Sequence, residues 1–73
     1  MTENIKEHYE NGYLVTLDWE KYNYYTVQVC TLEEDGVFFG YPIEKIEYSI
    51  RDKRKAISTF NKYVKKYCEG YNE

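Results

Sequence analysis

The sequence predicts a single α+β domain, a three- to four-stranded antiparallel meander sheet with a C-terminal amphipathic helix packed on one face. Three observations predict it. Apolar residues recur at helical spacing near the C-terminus, upstream segments alternate between apolar and polar, and short turn-forming stretches separate those segments.

The helix is the clearest element. From Asp52 to about Cys68, the residues Ala56, Ile57, Phe60, Tyr63, Val64 and Tyr67 recur every three or four positions. That is one apolar stripe on a helix of period 3.6. Ser49 or Asp52 can cap its N-terminus, and the two together resemble a capping box with Asp in place of Glu. Lys65 and Lys66 fall in the last turn, where the helix dipole favours cations. Gly70 is the expected stop.

Two strands follow from alternation. Tyr13, Val15, Leu17 and Trp19 point one way, and Leu14, Thr16, Asp18 and Glu20 the other. Tyr25, Val27 and Val29 oppose Tyr24, Thr26, Gln28 and Cys30 in the same manner. Such period-two patterns mark strands with one buried face. Lys21-Tyr22-Asn23 is short enough to join them as a hairpin. Asp35-Gly36 is a second turn signal, leading into a third strand, Val37–Tyr41, which Pro42 ends or places at an edge. Ile46, Tyr48 and Ile50 alternate with Lys45, Glu47 and Ser49 and predict a fourth strand. The core would join Tyr13, Val15, Leu17, Trp19, Tyr25, Val27, Val29, Ile46, Tyr48 and Ile50 to the helix stripe.

The first eleven residues fit two structures. Ile5 and Tyr9 are four apart, and Asn11-Gly12 could close a short helix. Asn11-Gly12 is also the strongest two-residue hairpin signal, and Ile5 and Tyr9 equally fit a strand. We read this segment as a short N-terminal helix.

Seventy-three residues make one domain, residues 1–73, with about 60–65% of its unfolded surface buried. Ten tyrosines, three phenylalanines and one tryptophan set it apart from disordered chains. Tyrosine is also favoured at binding surfaces. No run of about 18 apolar residues marks a membrane span, and the N-terminus lacks a signal-peptide pattern. The expected location is the cytosol, where Cys30 and Cys68 would be reduced thiols. Two cysteines and one histidine are too few for a structural zinc site.

Little here suggests catalysis. His8 lies in a polar stretch and reads as a solvated side chain. Neither cysteine has a recognisable activating neighbour. The four glycines are scattered and form no phosphate loop. No catalytic, metal or cofactor residue is expected, and the chain reads as a binding protein rather than an enzyme.

Charge divides the chain. Residues 1–50 carry ten acids and three bases, a net of −7, and residues 51–73 carry seven bases and three acids, a net of +4. The bases Lys53, Arg54, Lys55, Lys62, Lys65 and Lys66 could contact nucleic-acid phosphates, or merely solvate a helix. The acids Glu33, Glu34, Asp35, Asp18, Glu20, Glu44 and Glu47 could serve solubility, or could imitate phosphates and occupy a basic groove on a nucleic-acid-binding protein. The helix leaves one sheet face uncovered, with Leu14, Tyr24, Cys30, Leu32 and Phe38 on it. That face could bind a partner or a second copy, unless the N-terminal segment folds over it.

Strands Tyr13–Glu20, Tyr24–Leu32 and Val37–Tyr41, then helix Asp52–Cys68, span most of the chain. In this layout, in size and in its Tyr-, Lys-, Glu- and Asn-rich composition, it resembles small proteins of phages and mobile elements of low-GC bacteria. Among these are the anti-CRISPR inhibitors, many of them small acidic α+β proteins. The resemblance implies inhibition of a host nuclease complex, such as a CRISPR effector, by binding without catalysis. It rests on no motif and carries no residue over. The expected partner-binding residues come from the charge and face arguments: Glu33, Glu34, Asp35, Tyr24, Phe38, Asp18 and Glu20. The alternatives are a nucleic-acid-binding or regulatory module using the basic helix, and a module that self-associates through the open sheet face.

Overall fold

The computed structural model describes residues 2–21, 23–32 and 39–70. Four strands form one antiparallel meander in chain order: β1 (Thr2–Glu10), β2 (Tyr13–Glu20), β3 (Tyr24–Leu32) and β4 (Phe39–Ser49). Helix α1 (Lys53–Tyr63) follows and continues into a π turn, Val64–Cys68. The α+β architecture is therefore the one the periodicities predict.

The N-terminal segment is a strand, which corrects the expectation of a short helix. Asn11 and Gly12 have φ of 56° and 81°. Positive φ at both central residues is what a two-residue hairpin of type I′ requires. Pairing with β2 satisfies backbone groups that a helix of this length would hold only marginally in water. A bulge between Asn4 and Lys6 interrupts the register, and Ile5 at that bulge packs against the core. Gly12→Ala tests the turn. An added Cβ would meet no atom within 4 Å, so the cost is backbone strain alone, about 1–2 kcal/mol. Its urea midpoint should fall accordingly, and Gly12→Asn should recover part of the loss, since Asn tolerates this conformation.

The two short strands expected on either side of Pro42 are one strand. β4 runs through Pro42 at the sheet edge, with irregular register between Cys30 and Leu32 of β3. An edge and a bulge are the places where a residue without an N–H can sit in a sheet. Val37 and Phe38 lie outside the described residues. Ile50 falls in the turn after β4.

The pairing register sorts side chains into cross-strand rows. On the helix side these rows are Glu3–Trp19–Tyr25–Tyr48, Lys6–Leu17–Val27–Ile46 and His8–Val15–Val29–Glu44. Apolar residues fill the two central strands, while β1 supplies charged or polar ends to the rows. Val15, Leu17, Val27 and Val29 are fully buried beneath Ala56, Phe60, Val64 and Cys68. The helix starts just beyond β4 and ends at the β1–β2 hairpin. There the Cys68 thiol lies 3.7 Å from the Tyr13 carbonyl, and Asn11 Nδ2 donates to the Cys68 carbonyl. This path covers the centre of the sheet and leaves Ile46 and Ile50 exposed, so neither belongs to the core as expected.

The helix ends are only partly those expected. Asp52 occupies the N-cap position but makes no side-chain cap hydrogen bond. Its φ of −106° and ψ of 39° fall outside the β region that aims a capping carboxylate at the first amides. Ser49 Oγ accepts from the Arg51 N–H instead, at 3.2 Å. At the other end the Glu69 N–H donates to the Val64 carbonyl at 3.0 Å, a five-residue step that widens the last turn. Gly70 follows with φ of 75°, as its position predicts.

Candidate binding surface

No helix among the described residues covers the other sheet face. Its rows are Thr2–Glu20–Tyr24–Ser49, Asn4–Asp18–Thr26–Glu47, Glu7–Thr16–Gln28–Lys45 and Tyr9–Leu14–Cys30–Pro42. The first three rows form a polar field with Glu7, Asp18, Glu20 and Glu47 against one base, Lys45. The fourth is an apolar margin. Within it Leu14 and Cys30 are buried and Tyr9 is 55% exposed. Thr16 is also buried, and its hydroxyl makes no hydrogen bond among the described residues. Such a group is a small cost carried at the centre of the face.

Three expected site residues, Asp18, Glu20 and Tyr24, lie together here. Asn4 Nδ2 donates to Asp18 Oδ1 at 3.0 Å, and Thr2 Oγ1 donates to Glu20 Oε2 at 2.5 Å. The Thr2 hydrogen bond holds the Glu20 carboxyl below its ordinary pKa. Glu33, Glu34, Asp35 and Phe38, the other expected site residues, lie outside the described residues. Glu44 belongs to the opposite face. It accepts from Tyr67 Oη and sits 3.6 Å from Lys66 Nζ, tying β4 to the helix. Glu7 and Tyr9 join the open face although sequence reasoning did not place them there. The hairpin signal at Asn11-Gly12, followed back into the alternation of β1, would have found them.

The remaining candidates have structural explanations. His8 Nε2 lies 2.8 Å from Glu10 Oε1 on the exposed hairpin. Cys30 and Cys68 are free and buried on opposite sides of the sheet. Burial pushes both thiols up from their ordinary pKa, with Asp18 adding to the rise at Cys30 and Glu10 at Cys68. This is the reverse of what activates a nucleophile. The described residues contain no group of three His, Cys, Asp or Glu that could hold a metal ion.

Alkaline stability follows from these groups. The hydrogen bond to Glu44 raises Tyr67, and burial followed by the Glu44 charge raises Tyr63. A group raised in the folded state stabilises it fully below the unfolded pKa and loses that contribution as pH rises. The urea midpoint should therefore begin to fall near pH 9, as unfolded thiols ionise, and fall further above pH 10 with the tyrosines. Tyr67→Phe should flatten the upper part of that slope, and a profile unchanged by it would contradict the assignment.

No family model matches the chain, and neither a curated protein nor a solved structure matches it. Among the described residues no helix is long and apolar enough to cross a membrane.

Proposed function

We propose that this is a non-enzymatic binding protein, an anti-CRISPR-like inhibitor that blocks a nucleic-acid-processing complex through its acidic open sheet face. The observation that supports it is the acidic excess on that face, four carboxylates to one ammonium. Glu7, Asp18, Glu20 and Glu47 share the open face with Tyr9 and Tyr24, while Lys53, Arg54, Lys55, Lys62, Lys65 and Lys66 are exposed on the helix. A rigid field of carboxylates can occupy a groove built for phosphates, and its charge steers the encounter. Tyrosines add contact area at small entropic cost. The test is cleavage by a panel of purified CRISPR effector nucleases, with and without the protein, in low and high salt. Salt-sensitive inhibition supports the reading. If no effector is slowed, and no nucleic-acid-processing complex is recovered from bacterial lysate on the immobilised protein, the reading fails.

A second reading, direct nucleic-acid binding, is favoured by one observation. Lys53, Arg54 and Lys55 occupy the first turn of α1, which contains no acid. Cations at a helix N-terminus oppose the dipole, a cost that a phosphate contact would offset. An electrophoretic shift with DNA or RNA, lost at high salt and in the Lys53→Glu/Lys55→Glu variant, would support this reading over the first.

A further inference from the structure

We propose that the free edge of β1 binds an extended, basic polypeptide segment as an added strand. This site goes beyond the open-face reading: it uses the backbone edge of β1 and shares with that face only the side chains of Glu7 and Tyr9. β1 ends the sheet, and among the described residues it pairs with β2 alone. A two-residue hairpin closes on a hydrogen-bonded pair, here Glu10 opposite Tyr13, and such pairs alternate along the ladder. His8 and Lys6 therefore direct their backbone groups at β2. The N–H and C=O groups of Glu7 and Tyr9 point outward, a template for main-chain pairing.

The surroundings suit a strand better at this edge than at the other. β4 carries Pro42 and an irregular register, both of which obstruct strand addition. From Lys6 to Glu10, β1 has regular register and no proline. The helix does not close over this edge. It runs beside it, leaving an open groove of about 630 Å³ lined by Ile5, Lys6 and His8 of β1, by Phe60 and Asn61 of α1, and by Glu69 just beyond the π turn. A strand added to β1 would lay alternate side chains into that groove and the others beside Glu7 and Tyr9. Charge complementarity selects the occupant. Glu3, Glu7, Glu10 and Glu69 flank the edge, while Lys6, the one ammonium of β1, lies 5.5 Å over the Phe60 ring. Basic side chains at alternate positions fit this surround, and acidic ones are repelled.

The probe is a capped nine-residue peptide alternating valine with lysine, titrated into the isotopically labelled full chain and read by amide chemical shifts and hydrogen exchange. Saturable shifts at Glu7, Tyr9 and Asn61 are expected, with slowed exchange of the Glu7 and Tyr9 amides. Methylating the peptide's alternate backbone nitrogens should weaken binding at least tenfold, and replacing its lysines with glutamate should do the same. Glu7→Pro removes an outward N–H without touching the β1–β2 ladder, and it should abolish binding while leaving the spectrum folded. Asp18→Lys/Glu47→Lys should change peptide affinity less than threefold, which separates this site from the open face. The proposal is overturned by affinity indifferent to backbone methylation, by shifts confined to Asp18 and Glu47, or by no saturable binding. It is also overturned if Glu7 and Tyr9 are already protected without peptide in a species whose mass rises with concentration, since a second copy then holds the edge.

Discussion

Phe60→Ala is expected to remove about 3–5 kcal/mol of stability, the usual cost of emptying a buried aromatic site. Phe60 is 5% exposed and lies in the cluster with Leu17, Val27 and Val64, where the helix meets the central strands. Lys6 stacks above the ring, so the substitution also deletes a cation–π contact of about 0.5–1 kcal/mol. A chain of 73 residues has roughly 4–11 kcal/mol in total at the usual value per residue. The variant should therefore populate unfolded chain measurably even without denaturant. Urea unfolding followed by the fluorescence of Trp19, which stacks on Tyr25 at 6.4 Å, gives the difference directly. Tyr9→Ala on the open face is the contrast and should stay within about 0.5 kcal/mol of the parent, because surface truncations away from packed contacts usually do. If Phe60→Ala cost less than about 1 kcal/mol, the helix would not be the cover of this core.

How much of this was legible in the sequence depends on how local the determining physics is. The stripe Ala56, Phe60, Val64 and the alternations Val15–Leu17 and Val27–Val29 are periodic over one element, and the structure follows them. The N-terminal segment was ambiguous because Ile5 and Tyr9 are too few to separate a period of two from 3.6. The backbone of Asn11-Gly12, with positive φ at both residues, resolves it in favour of a hairpin. Pro42 fits either a strand end or an edge strand, because a residue without an N–H is tolerated at both; strand order, a tertiary property, selects the edge. Ile46 and Ile50 have core-like alternation, yet they lie where the helix does not reach. The faces of Asp18, Glu20 and Tyr24 were legible from parity alone. The same parity separates Glu44 from Glu47, three residues apart in one strand of regular register, whereas the Tyr67 hydroxyl that engages Glu44 is a tertiary contact with no local signal.

Reversing two carboxylates of the open face should weaken binding to a basic partner far more than it affects the fold. Asp18 and Glu47 stand on either side of Thr26 in one cross-strand row. Asp18→Lys/Glu47→Lys would turn a field of four carboxylates and one ammonium into two and three, placing like charges against the partner's basic groove. Losing charge pairs desolvated in an interface costs roughly 2–5 kcal/mol, and juxtaposed like charges add to it. The expected loss is therefore about 30- to 5000-fold in affinity. Stability should change little. Neither residue is in the core, and the hydrogen bond from Asn4 to Asp18 is an exposed one. Circular dichroism would verify the fold before binding is measured. Binding by the parent should weaken as salt rises from 50 to 500 mM, because screening shortens the reach of exposed charges from more than 10 Å to a few ångströms. The reversed variant, already deprived of attraction, should show little further dependence. Inhibition that survives both the reversal and high salt would mean that the tyrosines or another surface carry the contact, and phosphate imitation by this face would be excluded.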